Sequence, residues 1–371
     1  MRNIFYLGLI KRFLVPTLIG INIITFGCAK SADSFSVLPD GQIFQQSGKD
    51  ILQKDIDVLW VIDNSASMKP FHDNLLANFK SFITNFVGKE YNFHLSVATT
   101  DGYLAGSKFL NNSTYSKLKD GMGSAHTGFP IIDLYTPKII DTFTINAAQG
   151  EKGSGDERAF SSLRETLENG ANSKFLRSDS FLAVIILSDE DDFSDPNRPE
   201  GSWVKKEGVK DHSYSNPGLE TVDSYVALLD QATNSKDPNF RKYNVSAVTV
   251  ADDVCLSKHV KDAPSSIKGT RYMDLANKTK GVVADICSPS FAGALGDIQK
   301  RILELSTQFK LDNTPIPETI TVVVNDSSIP EDSDNGWTYS VETNSIFFHG
   351  EALPPQGATI SIKFQPVSIR Q

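Results

Sequence analysis

Residues 57–68 read DVLWVIDNSASM, and this stretch decides the fold. Val58 to Ile62 is an unbroken apolar run with two valines and an isoleucine. A run that short suits a central parallel strand covered on both faces better than a helix. It stops at Asp63, and hydroxyl oxygens follow at Ser65 and Ser67. Beyond Met68 the period becomes helical, with Phe71, Leu75, Leu76, Phe79, Phe82, Ile83 and Phe86 at three- and four-residue steps. Asp63, Ser65 and Ser67 therefore fall between a strand's C-terminal end and a helix N-terminus, where open α/β sheets bind ligands.

One carboxylate and two hydroxyls at alternate positions of a tight turn can aim their oxygens at one point. A hard divalent cation such as Mg²⁺ takes six oxygens at about 2.0–2.1 Å and keeps several as water. Serine oxygens are neutral, so they leave the ion's charge available to an incoming carboxylate. Asp63-x-Ser65-x-Ser67 followed by Met68 resembles the metal-ion-dependent adhesion site of von Willebrand factor A domains. The plain alternative is that Asp63 caps the helix and the serines are ordinary first-turn residues.

The resemblance implies further ligands. Phe181 to Leu187 (FLAVIIL) is a second fully apolar strand, ending in Ser188-Asp189-Glu190-Asp191-Asp192. Asp189 corresponds to the last aspartate of the adhesion site, which in the family reaches the metal mostly through water. The family also supplies a threonine just before a helix. Here the segment GSGDERAFSSLRETL from Gly153 offers Ser154, Asp156 and Glu157 instead. Asp156 is the preferred counterpart by its spacing from the helix, with Glu157 next; either acid could equally serve only the helix dipole. A carboxylate there lowers the net charge of the site and would favour Ca²⁺ more than serine and threonine do. Glu190, Asp191 and Asp192 read as a solvated acidic loop in preference to a second cation site.

Around these motifs, strands at Tyr91–Thr100, Tyr243–Val250 and Gly281–Ile286 alternate with helical stretches. The expected fold is α/β: a Rossmann-like, doubly wound, mostly parallel sheet flanked by helices over residues 53–311. Pro315-Ile316-Pro317 marks a boundary. The short alternating runs of 312–371 predict a small antiparallel β module.

At the N-terminus, Arg2, Lys11 and Arg12 precede the apolar run Phe13 to Phe26, then Gly27-Cys28. A basic region followed by a short apolar run describes a secretory signal over 1–27. The cysteine after Gly27 looks like the lipidated first residue of a bacterial lipoprotein, with 28–52 as a tether. The expected location is the bacterial cell envelope, lipid-anchored at the outer membrane. Without 1–27 the charge of −9 loses three positives and becomes −12, which disfavours nucleic acid as a partner. In an oxidising compartment the remaining pair, Cys255 and Cys287, reads as a disulfide. Closing that loop of about 33 residues stabilises by roughly 3–4 kcal/mol on the chain-entropy argument.

Two function classes follow. The first is a non-enzymatic, exported binding or adhesion protein whose divalent cation (Mg²⁺ first, Mn²⁺ or Ca²⁺ otherwise) captures an acidic side chain of a protein partner. The second is a metal-dependent hydrolase using Asp63 and Asp189 around an activated water. No nucleophile motif such as G-x-S-x-G occurs. Lys69 and His72, the nearest basic groups, read as solvated helix residues, so binding is the preferred expectation.

Overall fold

The computed structural model describes residues 44–48, 55–88, 91–197, 218–261 and 266–367. The signal segment and Cys28 lie outside the described residues. Among those described, no helix is long and apolar enough to cross a membrane.

Five strands form one parallel sheet: β1 (Ile56–Ile62), β2 (Phe93–Thr99), β3 (Phe181–Leu187), β4 (Tyr243–Thr249) and β5 (Val283–Asp285). Their spatial order is β2-β1-β3-β4-β5. All seven residues of β1 are buried, as are all seven of β3, because helices cover both faces. Alternation sorts the side chains. Val58, Trp60 and Ile62 face α1 (Lys69–Gly88), α2 (Ile139–Ala147) and α7 (Ala292–Ser306). Leu59 and Val61 face α3 (Ala159–Glu168), α4 (Val222–Ala232) and α6 (Thr270–Lys278). This is the doubly wound α/β arrangement.

The helical stripe read after Met68 is the buried face of α1, with Leu75, Phe79, Phe82, Ile83 and Phe86 in the core. Phe79 stacks on Phe143 of α2 with centroids 3.7 Å apart, and Phe82 meets Trp60 edge-on at 5.5 Å. At the far end of β1, buried Asp57 accepts hydrogen bonds from the Arg177 amide and guanidinium and from the Ser180 hydroxyl. Asp63 and Asp189 lie beyond the opposite ends of β1 and β3.

The C-terminal residues form antiparallel sheets. Trp337–Ser340, Ser345–Phe348 and Phe309–Lys310 make one of three strands. The other runs Phe44–Gly48, Ile360–Phe364, Thr321–Val324, Ser327–Ile329. The stretch expected as a tether thus holds a strand, paired antiparallel from Phe44 opposite Phe364 to Gly48 opposite Ile360. Ile320, Val322, Trp337, Ile346, Phe348, Ile360 and Phe364 belong to the same apolar cluster as Ile298 and Ile302 of α7. The module therefore shares the core of the parallel sheet. Tyr91 Oη donating to Pro354 O at 2.6 Å, and His349 Nδ1 2.8 Å from Glu304 Oε1, add polar links between them.

Candidate metal centre

Chain order and strand order together locate the site. From β1 the chain goes to β2 on one side, and β3 then returns to the other. The sheet's switch point lies between β1 and β3, and ligands bind outside the strand ends there. The register Ile62 opposite Leu187 brings the two following residues, Asp63 and Ser188, to the same level.

Asp63 is fully buried, and its amide donates to Leu187 O at 2.9 Å. Its Oδ1 accepts from the Ser65 amide at 2.8 Å, an Asx-type turn, and its Oδ2 accepts from Ser188 Oγ at 2.7 Å. The turn presents Ser65 Oγ and Ser67 Oγ 3.2 Å apart. Neighbouring oxygens of an octahedral ion with bonds of about 2.1 Å stand about 3.0 Å apart, so this pair fits two adjacent coordination positions. Met68, fully buried, anchors the turn from below.

Asp189 is also fully buried. Its Oδ2 lies 2.6 Å from His259 Nε2, and its Oδ1 has no hydrogen-bond partner among the described residues. Burial, and then the nearby Asp189 charge, push the Asp63 carboxyl up to about 7. An unpaired oxygen beside a second buried carboxylate is a donor set that suits a hard cation.

The segment before α3 joins this edge through Asn64. Gly153 N donates to Asn64 O at 2.8 Å, and a Cβ on Gly153 would stand 2.5 Å from Asn64 Cγ, so a side chain there would displace the Asn64 amide. Asn64 Nδ2 donates to Asp101 Oδ2 at 3.0 Å, and Asp101 Oδ1 accepts from the Ser154 amide at 3.0 Å. Asp156 is buried with Oδ2 2.6 Å from Arg158 Nη2. Its carboxylate does not cluster with those of Asp63 and Asp189. Among the described residues, three acidic, histidine or cysteine ligand atoms lie within 4.8 Å of one another only at Cys255, Asp285 and Cys287. Those two sulfurs are joined to each other as a disulfide. Glu157, next to Asp156, is buried as well, and its carbonyl accepts from Phe193 N at 2.9 Å.

Two expectations need correction. Glu190, Asp191 and Asp192 are buried, not solvated. Asp192 Oδ1 accepts from Phe160 N at 2.9 Å and Asp191 Oδ1 from Arg271 N at 3.0 Å, so each acid caps the first turn of a helix distant in sequence. Arg271 Nη2 adds an ion pair to Asp192 at 3.1 Å. His72 is likewise buried, with Nε2 2.6 Å from Asp63 O, whereas Lys69 is exposed and pairs with Asp73. Three residues that serve the site, Asn64, Asp101 and His259, carry no local sequence signal, because each acts on a partner from another loop.

The raised Asp63 carboxyl gives a pH dependence. In the unfolded chain this group loses its proton near pH 4, whereas the folded protein keeps it to about pH 7. Over that window the native state binds more protons, so stability falls as pH rises from about 4 to about 7. Urea denaturation in chelator at both ends of the window is expected to show this fall, and Asp63→Asn should largely remove it. A cation held by this carboxylate would compete with the same proton, so its affinity would rise across the same range.

No family profile matches the chain, and no curated protein matches it. Among solved structures, the pilus adhesin SpaC from Lactobacillus rhamnosus GG in its open conformation is 14% identical, with a TM-score of 0.37. That match covers 84% of this chain and 38% of the adhesin. The ArnB paralog VWA2 from Sulfolobus acidocaldarius is 13% identical over 87% of this chain and 59% of that one, with a TM-score of 0.33. The pilus adhesin RrgA from Streptococcus pneumoniae is 10% identical over 87% and 57%, also with a TM-score of 0.33. The chain spans less than two thirds of each of these proteins, and likeness at this level assigns neither family nor function.

Proposed function

We propose that this chain is a non-enzymatic binding protein of the cell envelope, tethered through a lipid on Cys28, which holds a divalent cation at the β1/β3 edge. The observation that carries this reading is the pair of fully buried carboxylates, Asp63 and Asp189, beside two hydroxyl oxygens 3.2 Å apart. Two such acids side by side are costly to ionise together, and a cation offsets that cost. Ser65 and Ser67 act as direct ligands in this reading, while Asp63 and Asp189 act mainly through water. Asp156, its Oδ2 taken by Arg158, contributes at most through a bridging water. Mg²⁺ is the expected ion, ahead of Mn²⁺ and Ca²⁺. Bound there, the cation supplies positive charge and an exchangeable position for the carboxylate of a protein partner. The histidines nearby have Nε2 engaged on Asp63 O and Asp189 Oδ2, which supports binding over hydrolysis.

Calorimetry with Mg²⁺ or Mn²⁺ tests the site. Asp63→Ala is expected to abolish cation binding, and Ser67→Ala to weaken it at least tenfold without lowering stability, since Ser67 is half-exposed. Unchanged affinity in both variants would place the site elsewhere. Partner capture by wild type and Asp63→Ala, with and without chelator, tests the second half of the reading. Turnover of phosphoesters or peptides by the metal-loaded chain would replace it with the hydrolase.

A further inference from the structure

The site has a support on a part of the chain remote in sequence. Helix α5 (Asp253–His259) is seven residues long, too short to hold its place by helix propensity alone. Cys255 and His259 are four residues apart and so share one of its faces. Cys255 is bonded to Cys287, two residues beyond β5. His259 packs edge-on against Phe71 in the first turns of α1, with ring centroids 5.1 Å apart. Its Nε2 reaches Asp189 Oδ2 at 2.6 Å. An ionised carboxylate only accepts, so this nitrogen carries the proton and donates.

The bond has a consequence for Asp189. With Oδ2 engaged by His259, the carboxylate cannot turn freely, and Oδ1 is the oxygen left without a partner among the described residues. We propose that His259 is a positioning residue that fixes Asp189 with Oδ1 toward the cation, and that the Cys255–Cys287 disulfide holds His259 there, so that opening the disulfide weakens cation binding. This rests on the metal-site reading above. Outer hydrogen bonds of this kind typically govern metal affinity by 10–100-fold. Opening the bond takes two electrons and two protons from a dithiol. The S–S bond breaks, two protein thiols form, and the dithiol closes to its own disulfide.

The test uses the whole protein made without export and carrying Cys28→Ser, since Cys28 without its lipid would be a third thiol able to exchange. Mg²⁺ affinity of His259→Ala is expected to fall at least tenfold. His259→Gln, whose amide can still donate to Asp189, should recover most of it. Equal losses in Ala and Gln variants would reduce His259 to a packing role and overturn the proposal. Reduction with excess dithiol is expected to weaken Mg²⁺ about tenfold while circular dichroism stays that of a folded α/β protein. Coupling is reciprocal, so saturating Mg²⁺ should make the disulfide harder to reduce by the same tenfold factor, about 30 mV in midpoint. A midpoint unmoved by Mg²⁺ would overturn the role of the disulfide. Wild-type affinity in His259→Ala would overturn this inference alone, whereas wild-type protein that binds no cation would overturn the metal site itself.

Discussion

Arg158→Ala is expected to lower the unfolding free energy by about 3–5 kcal/mol. The arginine is fully buried, and its guanidinium donates to Asp156 Oδ2 at 2.6 Å and to Asp195 O at 2.8 Å. The guanidinium carbon also sits 4.9 Å from the Tyr103 ring centroid and 5.0 Å from that of Phe109. Alanine removes the cation, takes the ion pair from a buried carboxylate and opens a space between two rings, and each effect has the same sign. Arg158→Lys keeps the charge but loses the planar fork and the stacking, so it should fall between alanine and wild type. Urea denaturation of the cation-free protein checks the series. A loss below about 1 kcal/mol for alanine would show that the pair is not the support described.

Phe79→Ala is expected to cost a similar amount, about 3–5 kcal/mol, by a different route. Phe79 is fully buried between the sheet and α2, stacked on Phe143 and tilted against Phe82 at 5.9 Å. Its removal leaves a cavity in the core and no stranded charge. Cation affinity of the folded fraction should be unchanged, because Asp63, Ser65 and Ser67 stand on the turn before α1. Phe79→Leu should recover much of the loss by filling part of the space. Denaturation midpoints set beside calorimetry separate the two effects. A Phe79→Ala protein with native stability would mean the core collapses around the gap.

The sheet was legible because its strands are short apolar runs with both faces covered. Val58–Ile62 and Phe181–Leu187 can hardly be anything else once helical periods flank them. The turn after β1 was legible for a related reason, since Asp63, Ser65 and Ser67 lie within five residues of one another. What the sequence hid were partnerships across distance. Asp191 and Asp192 look like a wet acidic run, yet they cap helices through the amides of Arg271 and Phe160, 80 and 32 residues away. His259 lies 70 residues from Asp189, with no periodic signal to join them. Phe44–Gly48 (FQQSG) hides for another reason. One aromatic and two glutamines give no alternation to read, and the strand exists only because a late strand pairs with it.

That late pairing has a consequence for how the chain is made. Phe44 meets Phe364 across 320 positions, so the first strand waits for nearly the last before its hydrogen bonds can form. Contacts this distant slow folding, because a very long loop must close before they repay the closure. While the chain emerges from its N-terminus, β1, β2 and β3 can assemble with the helices between them. Phe44–Gly48 meanwhile waits as an unpaired edge, and the closing step of folding brings it to Ile360–Phe364.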